Sequence, residues 1–207
     1  SGIWVAVSMI GVSAIGMILF TTRPVGDAMA TTIWGTSSSW TLTALPLFVW
    51  MGEILFRTKL SENLFKGLSP WMQKLPGGLI HVNVVGCALF AAISGSSAAT
   101  VATVGKMSIP ELRKRKYPEK ILLGSLAGSG TLGLLIPPSI ILIIYGVAVQ
   151  ESIAKLFIAG IIPGIMIALI FMFYVVIWSL LNKKDMPKII EEYSFLEKIK
   201  RSRQLLP

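Results

Sequence analysis

The chain alternates long apolar runs, which contain one acidic residue (Glu53), with short polar segments. The apolar runs cover residues 3–20, 41–56, 79–105, 121–149 and 156–181. A helix needs ~20 apolar residues to cross the ~30 Å hydrocarbon core of a bilayer, and several runs have about that length. No strand-like alternation of apolar and polar residues is long enough to matter. The pattern predicts an all-α integral membrane protein.

Composition supports this class and excludes several kinds of chemistry. Hydrophobic residues make up 54% of the 207 positions and charged residues only 14%, too few to cover a soluble domain. One cysteine (Cys87) and one histidine (His81) cannot build a disulfide framework, a zinc cluster or a haem attachment motif. There is no ATP-binding phosphate loop, so we predict that the chain is not an enzyme that hydrolyses ATP. Residues 128–133 match G-x-G-x-x-G, but no strand precedes them, which argues against dinucleotide binding.

The distribution of basic residues predicts the topology. Of 19 Lys and Arg, one falls in 21–40, four in 57–78, five in 110–120, one in 150–155 and seven in 182–207. If 79–109 crossed the membrane once, these residues would divide 13 to 5 between the two sides, with Lys106 left out. If 79–109 enters and leaves on one side, they divide 16 to 2. Because basic residues collect on the cytoplasmic side, the second division is favoured, and the excess charge does not indicate nucleic-acid binding.

The predicted organisation therefore has a re-entrant helical hairpin at its centre. Its arms, 79–93 and 98–109, would be roughly 22 and 18 Å long at ~1.5 Å per residue, too short to cross. In chain order we predict scaffold-type transmembrane helices (1–56, with a Ser/Thr-rich interfacial segment at 21–40), an amphipathic interfacial arm (57–78), the re-entrant hairpin (79–109), a cytoplasmic basic loop (110–120), a discontinuous transmembrane helix (121–149), a transmembrane helix (150–181) and a cytoplasmic linker (182–207).

Two interruptions of the helical pattern fall at membrane depth. One is the sequence Ser94-Gly95-Ser96-Ser97 at the hairpin turn, and the other is Pro137-Pro138 in the discontinuous helix. Unpaired backbone groups in a bilayer cost several kcal/mol each and are tolerated only inside protein or beside a wet cavity. Two such breaks in one half of a chain are typical of secondary transporters, whose half-helix ends face a site near the midplane.

These breaks expose oxygen atoms that suit a hard cation. The prolines lack amide hydrogens, so the carbonyls of Gly133 and Leu134 lose their helical partners. Free carbonyls and a helix C-terminus favour a cation such as sodium, and the hydroxyls of Ser94 and Ser96 can complete an oxygen shell.

Two other interpretations of the small residues remain open at this point. Glycines and serines also let helices approach closely, without binding anything. Gly95-Ser96-Ser97-Ala98 superficially resembles the serine motif of an intramembrane protease, with His81 as a base. However, His81 is expected near the mouth of a hairpin arm, ~20 Å from the tip at helical rise, too far for proton transfer.

Taken together, the motifs of this chain resemble those of one transporter family. They are Pro46-Leu47-Phe48, Met51-Gly52-Glu53, Pro76–Val85, Ile93–Ala98, Ile109-Pro110, Ile136–Ile140, Tyr145-Gly146, Ser152-Ile153 and Leu156–Gly164. In combination they are similar to the large membrane subunit of TRAP (tripartite ATP-independent periplasmic) transporters. Family members are about twice as long, so the chain resembles the first, N-terminal half, and 182–207 a linker to a second half.

The resemblance implies the first of two inverted repeats of an elevator-type, ion-coupled importer in a bacterial or archaeal cytoplasmic membrane. It also implies two partners, a small membrane subunit and a periplasmic binding protein that delivers an organic acid. The coupling ion would be sodium, with no other cofactor, bound by Ser94, Ser96, Gly133, Ile136 and Pro138. The candidates for facing the substrate are Ser97, Thr100, Pro137 and Ser139.

One departure from the family concerns the substrate. Ala98-Ala99-Thr100 stands where many dicarboxylate transporters have an aspartate after the hairpin tip. This weakens a dicarboxylate assignment and leaves sialic-acid-like and other carboxylates open. We predict sodium-driven import of a small carboxylate. The alternatives are a non-transporting membrane scaffold or assembly fragment and, third, an intramembrane serine hydrolase.

Overall fold

A computed structural model describes residues 4–58 and 60–187 of the chain, and in that part every regular element is helical. The all-α prediction is therefore confirmed for these residues. The chain divides into two compact units, the first ending at Thr43 and the second beginning at Ala44. The first unit contains α1 (Val5–Phe20), α2 (Val25–Ser37) and a 3₁₀ turn, Trp40–Thr43.

The second unit contains eight described α-helices. They are α3 (Ala44–Arg57), α4 (Leu60–Met72), α5 (Ile80–Ser94), α6 (Ser97–Lys114), α7 (Glu119–Gly130), α8 (Leu132–Leu135), α9 (Ile140–Val149) and α10 (Ile153–Leu181), followed by a 3₁₀ turn, Lys183–Asp185. The helical segment Glu119–Val149 and helix α10 are long and apolar enough to cross a membrane, whereas α1 and α5 are shorter apolar helices. The predicted linker 182–207 lies outside the described residues from 188 onward.

The core of the second unit forms where α4 packs against the helix pair α5–α6, and residues of α7 complete its buried clusters. Leu64 of α4 packs with Cys87, Phe90, Val104 and Leu126 in one buried cluster. Leu68 packs with Leu79, Val82, Leu112 and Leu122 in another. The apolar face of α4, which the sequence predicts in the lipid headgroup layer, therefore contacts protein along these two turns.

Two polar segments are more helical than the sequence predicts. Residues 21–40 contain α2, whose Thr31, Thr32 and Thr36 hydroxyls donate to carbonyls three or four residues earlier. The predicted basic loop 110–120 is shorter than expected, because α6 continues through Pro110 to Lys114. Burial of Leu112, which is 0% exposed, stabilises this extra turn. At 18 residues α6 is ~27 Å long, which is longer than the ~18 Å predicted for the second arm, and re-entry of the hairpin stays a prediction.

Candidate functional site

The turn of the hairpin is built by two residues with different backbone conformations. Helix α5 ends at Ser94, and Gly95 follows in the left-handed region with φ +60°, where glycine carries no steric penalty. Its N–H donates to the Ala91 carbonyl at 3.0 Å. Ser96 is extended, and its hydroxyl accepts from the Ala99 N–H at 3.4 Å as the N-cap of α6. The Ser-Gly-Ser-Ser sequence thus ends one helix and starts the next within two residues.

A pair of buried hydroxyls lies directly beneath this turn. Ser94 and Thr100 are both 0% exposed, and their side-chain oxygens are 3.0 Å apart. Because Thr100 donates to the Ser96 carbonyl at 2.7 Å, its oxygen accepts the proton of Ser94. Thr100, predicted as a substrate-facing candidate, is therefore placed under the turn in this structure. The hydroxyl of Ser97, by contrast, is buried with no hydrogen-bond partner among the residues that the structure describes.

The discontinuous helix breaks between Leu135 and Ile140. Ile136 ends α8 by donating from its N–H to the Leu132 carbonyl at 2.8 Å, and the Pro137–Pro138 peptide that follows is cis. Ser139 then precedes α9. Its fully buried hydroxyl donates to the Leu134 carbonyl at 2.7 Å, which satisfies one of the two carbonyls freed by the prolines. In this structure Ser139, a predicted substrate-facing candidate, thus closes the break.

The hairpin turn (residues 94–97) packs directly against the helix break (residues 136–139), and we call this contact the seat. The Ile140 N–H donates to the Gly95 carbonyl at 3.2 Å. A methyl group on Gly95 would lie 2.7 Å from the Pro138 carbonyl oxygen, and one on Gly133 would lie 2.8 Å from the Ser97 nitrogen. Contacts this short require glycine at both positions. Four of the five residues predicted as sodium ligands, Ser94, Ser96, Gly133 and Pro138, therefore belong to one contact region.

The other predicted residues of the break face α10. A methyl group on Gly164 would lie 2.9 Å from Cγ1 of Ile136, and one on Gly160 would lie 3.4 Å from Cγ of Pro137. The side chains of Ile136 and Pro137 therefore pack against this helix, which supports the break from behind. Ile136 is a predicted sodium ligand, through its carbonyl oxygen, whereas Pro137 is a predicted substrate-facing candidate, and the side chains of both lie against α10.

The chemistry of this region is that of neutral oxygen atoms. It combines hydroxyls with main-chain carbonyls, and no group of three or more His, Cys, Asp or Glu suited to a metal occurs in the described part of the chain. Such a donor set fits a monovalent hard cation better than a transition metal, which prefers imidazole or thiolate. The buried polar side chains of this region include the Ser94–Thr100 pair, the Ser97 hydroxyl and the Ser139 hydroxyl.

The base of the hairpin is held by different groups. His81 forms a hydrogen bond with the Pro76 carbonyl, with 2.7 Å between Nε2 and the carbonyl oxygen. Because a carbonyl oxygen only accepts, the Nε2 of His81 is the donor. The Leu79 N–H donates to the Tyr117 hydroxyl at 3.0 Å, which ties α5 to the α6–α7 connection. Burial raises the pKa of Tyr117, partly offset by this bond and by Arg115. His81 and Ser97 thus have separate neighbours, and the structure does not bring together the serine–histidine pair of a hydrolase.

The sequence predicts Gly95 at the hairpin turn, but it misses the contacts that Gly95, Ile140 and Tyr117 make in this arrangement. The Gly95 carbonyl and the Ile140 N–H form the bond between turn and break, and Tyr117 closes the hairpin base. A glycine directly after an apolar helix is a signal for a left-handed cap, which points to Gly95. No local pattern indicates Ile140 or Tyr117, because their partners are distant in sequence.

Comparison with known proteins gives a consistent family. The family model described as "Tripartite ATP-independent periplasmic transporter, DctM component" matches residues 1–201. The chain is 38% identical over 174 residues to the C4-dicarboxylate TRAP transporter large permease protein DctM of Pseudomonas aeruginosa, covering 84% of this chain and 40% of that protein. It is 35% identical over 176 residues to the sialic acid TRAP transporter large permease protein SiaM of Vibrio cholerae, covering 84% and 41%.

A third relative is named for a different substrate. The ectoine/5-hydroxyectoine TRAP transporter large permease protein UehC of Ruegeria pomeroyi is 35% identical over 165 residues, covering 80% of this chain and 38% of that protein. The chain therefore spans about two fifths of the length of these relatives.

Proposed function

This chain belongs to the DctM family of tripartite ATP-independent periplasmic transporters, and we propose that it forms part of a permease that imports a small organic acid with sodium. Proteins of this family are membrane transporters and not enzymes. The permease works in the cytoplasmic membrane as a multi-pass protein. It acts with a small membrane subunit and with a periplasmic binding protein that delivers the substrate.

The seat of the hairpin turn on the helix break is the observation that supports sodium coupling. The Gly95–Ile140 bond and the close approach at Gly133 bring two helix ends together around neutral oxygens. A cation bound there by Ser94, Ser96 and the carbonyls of Gly133, Ile136 and Pro138 fastens the turn to the break. Each positive charge that enters with the membrane potential contributes ~2.3 kcal/mol per 100 mV, and this energy drives the import.

Elevator motion of the hairpin and the broken helices relative to a scaffold is part of this proposal. The substrate is a carboxylate, since the relatives are named for C4-dicarboxylate, sialic acid and ectoine transport. Among the substrate-facing candidates, Ser97 has the strongest case in this structure. Its buried hydroxyl has no hydrogen-bond partner in the described part and lies at the first turn of α6, where an anion is favoured. Thr100 and Ser139 use their hydroxyls within the protein.

A serine substitution at the turn tests the proposed ion site. In the complete transporter, reconstituted with its binding protein, Ser96→Ala removes one proposed sodium ligand and the N-cap of α6. Loss of one ligand worth ~1.4 kcal/mol raises the sodium concentration for half-maximal uptake about tenfold. Ser96→Thr keeps both hydroxyl and cap, so its sodium dependence should stay close to that of the original protein.

A buried serine elsewhere provides the matched control. Ser69 is 8% exposed and donates within its own helix to the Phe65 carbonyl, away from the turn. Ser69→Ala should leave the sodium dependence unchanged. If Ser96→Ala also leaves it unchanged while the protein remains folded, Ser96 is not a ligand of the coupling ion.

A further inference from the structure

A cleft runs between the two helices of the first unit. It has a volume of about 580 Å³, within the range of sites that hold small ligands. Its lining consists of Met9, Ile10, Ser13, Met17, Thr21, Arg23, Ala28, Met29, Thr32 and Ile33. From Met9 to Thr21 the α1 side extends ~18 Å at helical rise, slightly more than half of a ~30 Å hydrocarbon core. The cleft therefore has the length of one membrane leaflet.

Two of the polar side chains that line the cleft already have hydrogen-bond partners. Thr21 donates to the Met17 carbonyl and Thr32 to the Ala28 carbonyl, both at 2.8 Å, so these hydroxyls are satisfied within their own helices. Three methionines add flexible, polarizable surface that adapts to an irregular apolar guest. A hydrocarbon chain satisfies such a wall without leaving polar groups unpaired.

A single charged residue lies at one end of this wall. Arg23 lines the cleft at the connection between α1 and α2, just before the N-terminus of α2. A guanidinium binds phosphate in a bidentate manner, and a helix N-terminus adds to the attraction for an anion. The other charged residue of the first unit is Asp27, in the first turn of α2, and it is not part of the lining. The cleft thus pairs an apolar channel with a cationic end.

We propose that the cleft binds one acyl chain of an anionic phospholipid, with the lipid phosphate on Arg23. The length of the channel matches a chain within one leaflet, and the charge at its end matches the headgroup. This lipid stays bound between α1 and α2, unlike annular lipid, which exchanges with the surrounding bilayer. This role is separate from ion or substrate binding and stands whether or not the sodium site does.

Photolabelling of the full chain in lipid nanodiscs tests the proposal. The nanodiscs contain phosphatidylcholine and a trace of phosphatidylglycerol with a diazirine on its acyl chain. We expect label on peptides that contain Met9–Met17 and Ala28–Ile33, at higher yield than with the matching phosphatidylcholine probe. Arg23→Gln should lower this yield about fivefold, since a basic residue at the membrane surface contributes ~1 kcal/mol to anionic-lipid binding.

Two controls separate the cleft from ordinary lipid contact. Helix α10 presents exposed apolar residues such as Ile162 and Phe173, and its label should not change in Arg23→Gln. Arg57→Gln, at another exposed arginine, should leave cleft labelling unchanged. Ala28→Trp fills the channel without changing its charge and should abolish cleft labelling by both probes.

The outcomes are decisive in either direction. Unchanged labelling in Arg23→Gln, or equal labelling by the two probes, overturns the proposal. It is also overturned if co-expression with a small membrane subunit abolishes cleft labelling, because the occupant would then be a helix of that partner.

Discussion

At the scale of single residues, Gly133 is where the helix break comes closest to the hairpin turn. A methyl group here would lie 2.8 Å from the Ser97 nitrogen and 2.9 Å from the Ser96 carbonyl carbon. Both are backbone atoms, so neither moves aside without shifting the turn. Gly133→Ala should therefore destabilise the protein by about 1–3 kcal/mol, as overpacking does elsewhere. The thermal midpoint of the chain in detergent measures this loss.

Gly124 is the matched control, because a methyl group there meets no atom within 4 Å. Gly124→Ala should leave the midpoint unchanged or raise it, since alanine favours a helix over glycine by up to about 1 kcal/mol. Equal midpoints for the two variants would show that the contact at Gly133 is loose, and the seat of the turn on the break would lose its main steric support.

Among the candidate site residues, the sequence indicates which polar groups matter better than it indicates which partners they bind. The absence of amide hydrogens on Pro137 and Pro138 correctly singles out the Leu134 carbonyl as lacking its helical partner. The sequence does not show that the Ser139 hydroxyl replaces that partner, because this bond depends on the backbone path after the prolines. Thr100 is similar, since its 3.0 Å contact with the Ser94 hydroxyl requires the turn that brings the end of α5 against the start of α6.

At the scale of elements, Tyr117 joins the base of the hairpin to the connection between α6 and α7. Its hydroxyl accepts the N–H of Leu79, which is 1% exposed. Tyr117→Phe leaves this buried N–H without an acceptor and should cost about 1–3 kcal/mol. Hydrogen–deuterium exchange should become faster at Leu79–Val82 and stay unchanged in α9.

Tyr174→Phe provides the comparison, because Tyr174 is 57% exposed on α10. Its exchange profile should match that of the original chain. If Tyr117→Phe also matches it, the base of the hairpin is held by packing alone.

The elements themselves were partly predictable. Apolar runs and a glycine gave the α5–α6 pair, and the double proline gave the break between α8 and α9. The sequence predicts that the second arm ends at Ile109, before Pro110, whereas α6 continues past this proline to Lys114. The reason is tertiary: Leu112 is buried among Leu68, Leu79 and Leu122, and this packing outweighs the cost of one lost helical bond. The sequence shows that Pro110 disfavours a helix, but it does not show that Leu112 is buried.

At the scale of the whole molecule, a main-chain hydrogen bond from the Ile140 N–H to the Gly95 carbonyl joins the two breaks. Non-helical backbone is stable at membrane depth only if protein supplies its hydrogen bonds. At the turn, the Gly95 N–H donates to Ala91, the Gly95 carbonyl accepts from Ile140, and the Ser96 carbonyl accepts from Thr100. The sequence predicts that both breaks need partners. Only the folded chain shows that the breaks provide some of them for each other.

This satisfied turn makes the proposed re-entrant topology testable. In a chain with Cys87 replaced by serine, single cysteines at Lys74, Lys114 and Glu151, all exposed, report the side of the membrane. An impermeant maleimide added to intact spheroplasts should label Glu151→Cys and spare the other two, which should react only after permeabilisation. This result is expected because the 16-to-2 division of basic residues favours a topology with both ends of the hairpin in the cytoplasm. If 79–109 crosses once, Lys74→Cys and Lys114→Cys will react on opposite sides. That result would reduce the division to 13 to 5 and contradict the re-entrant topology.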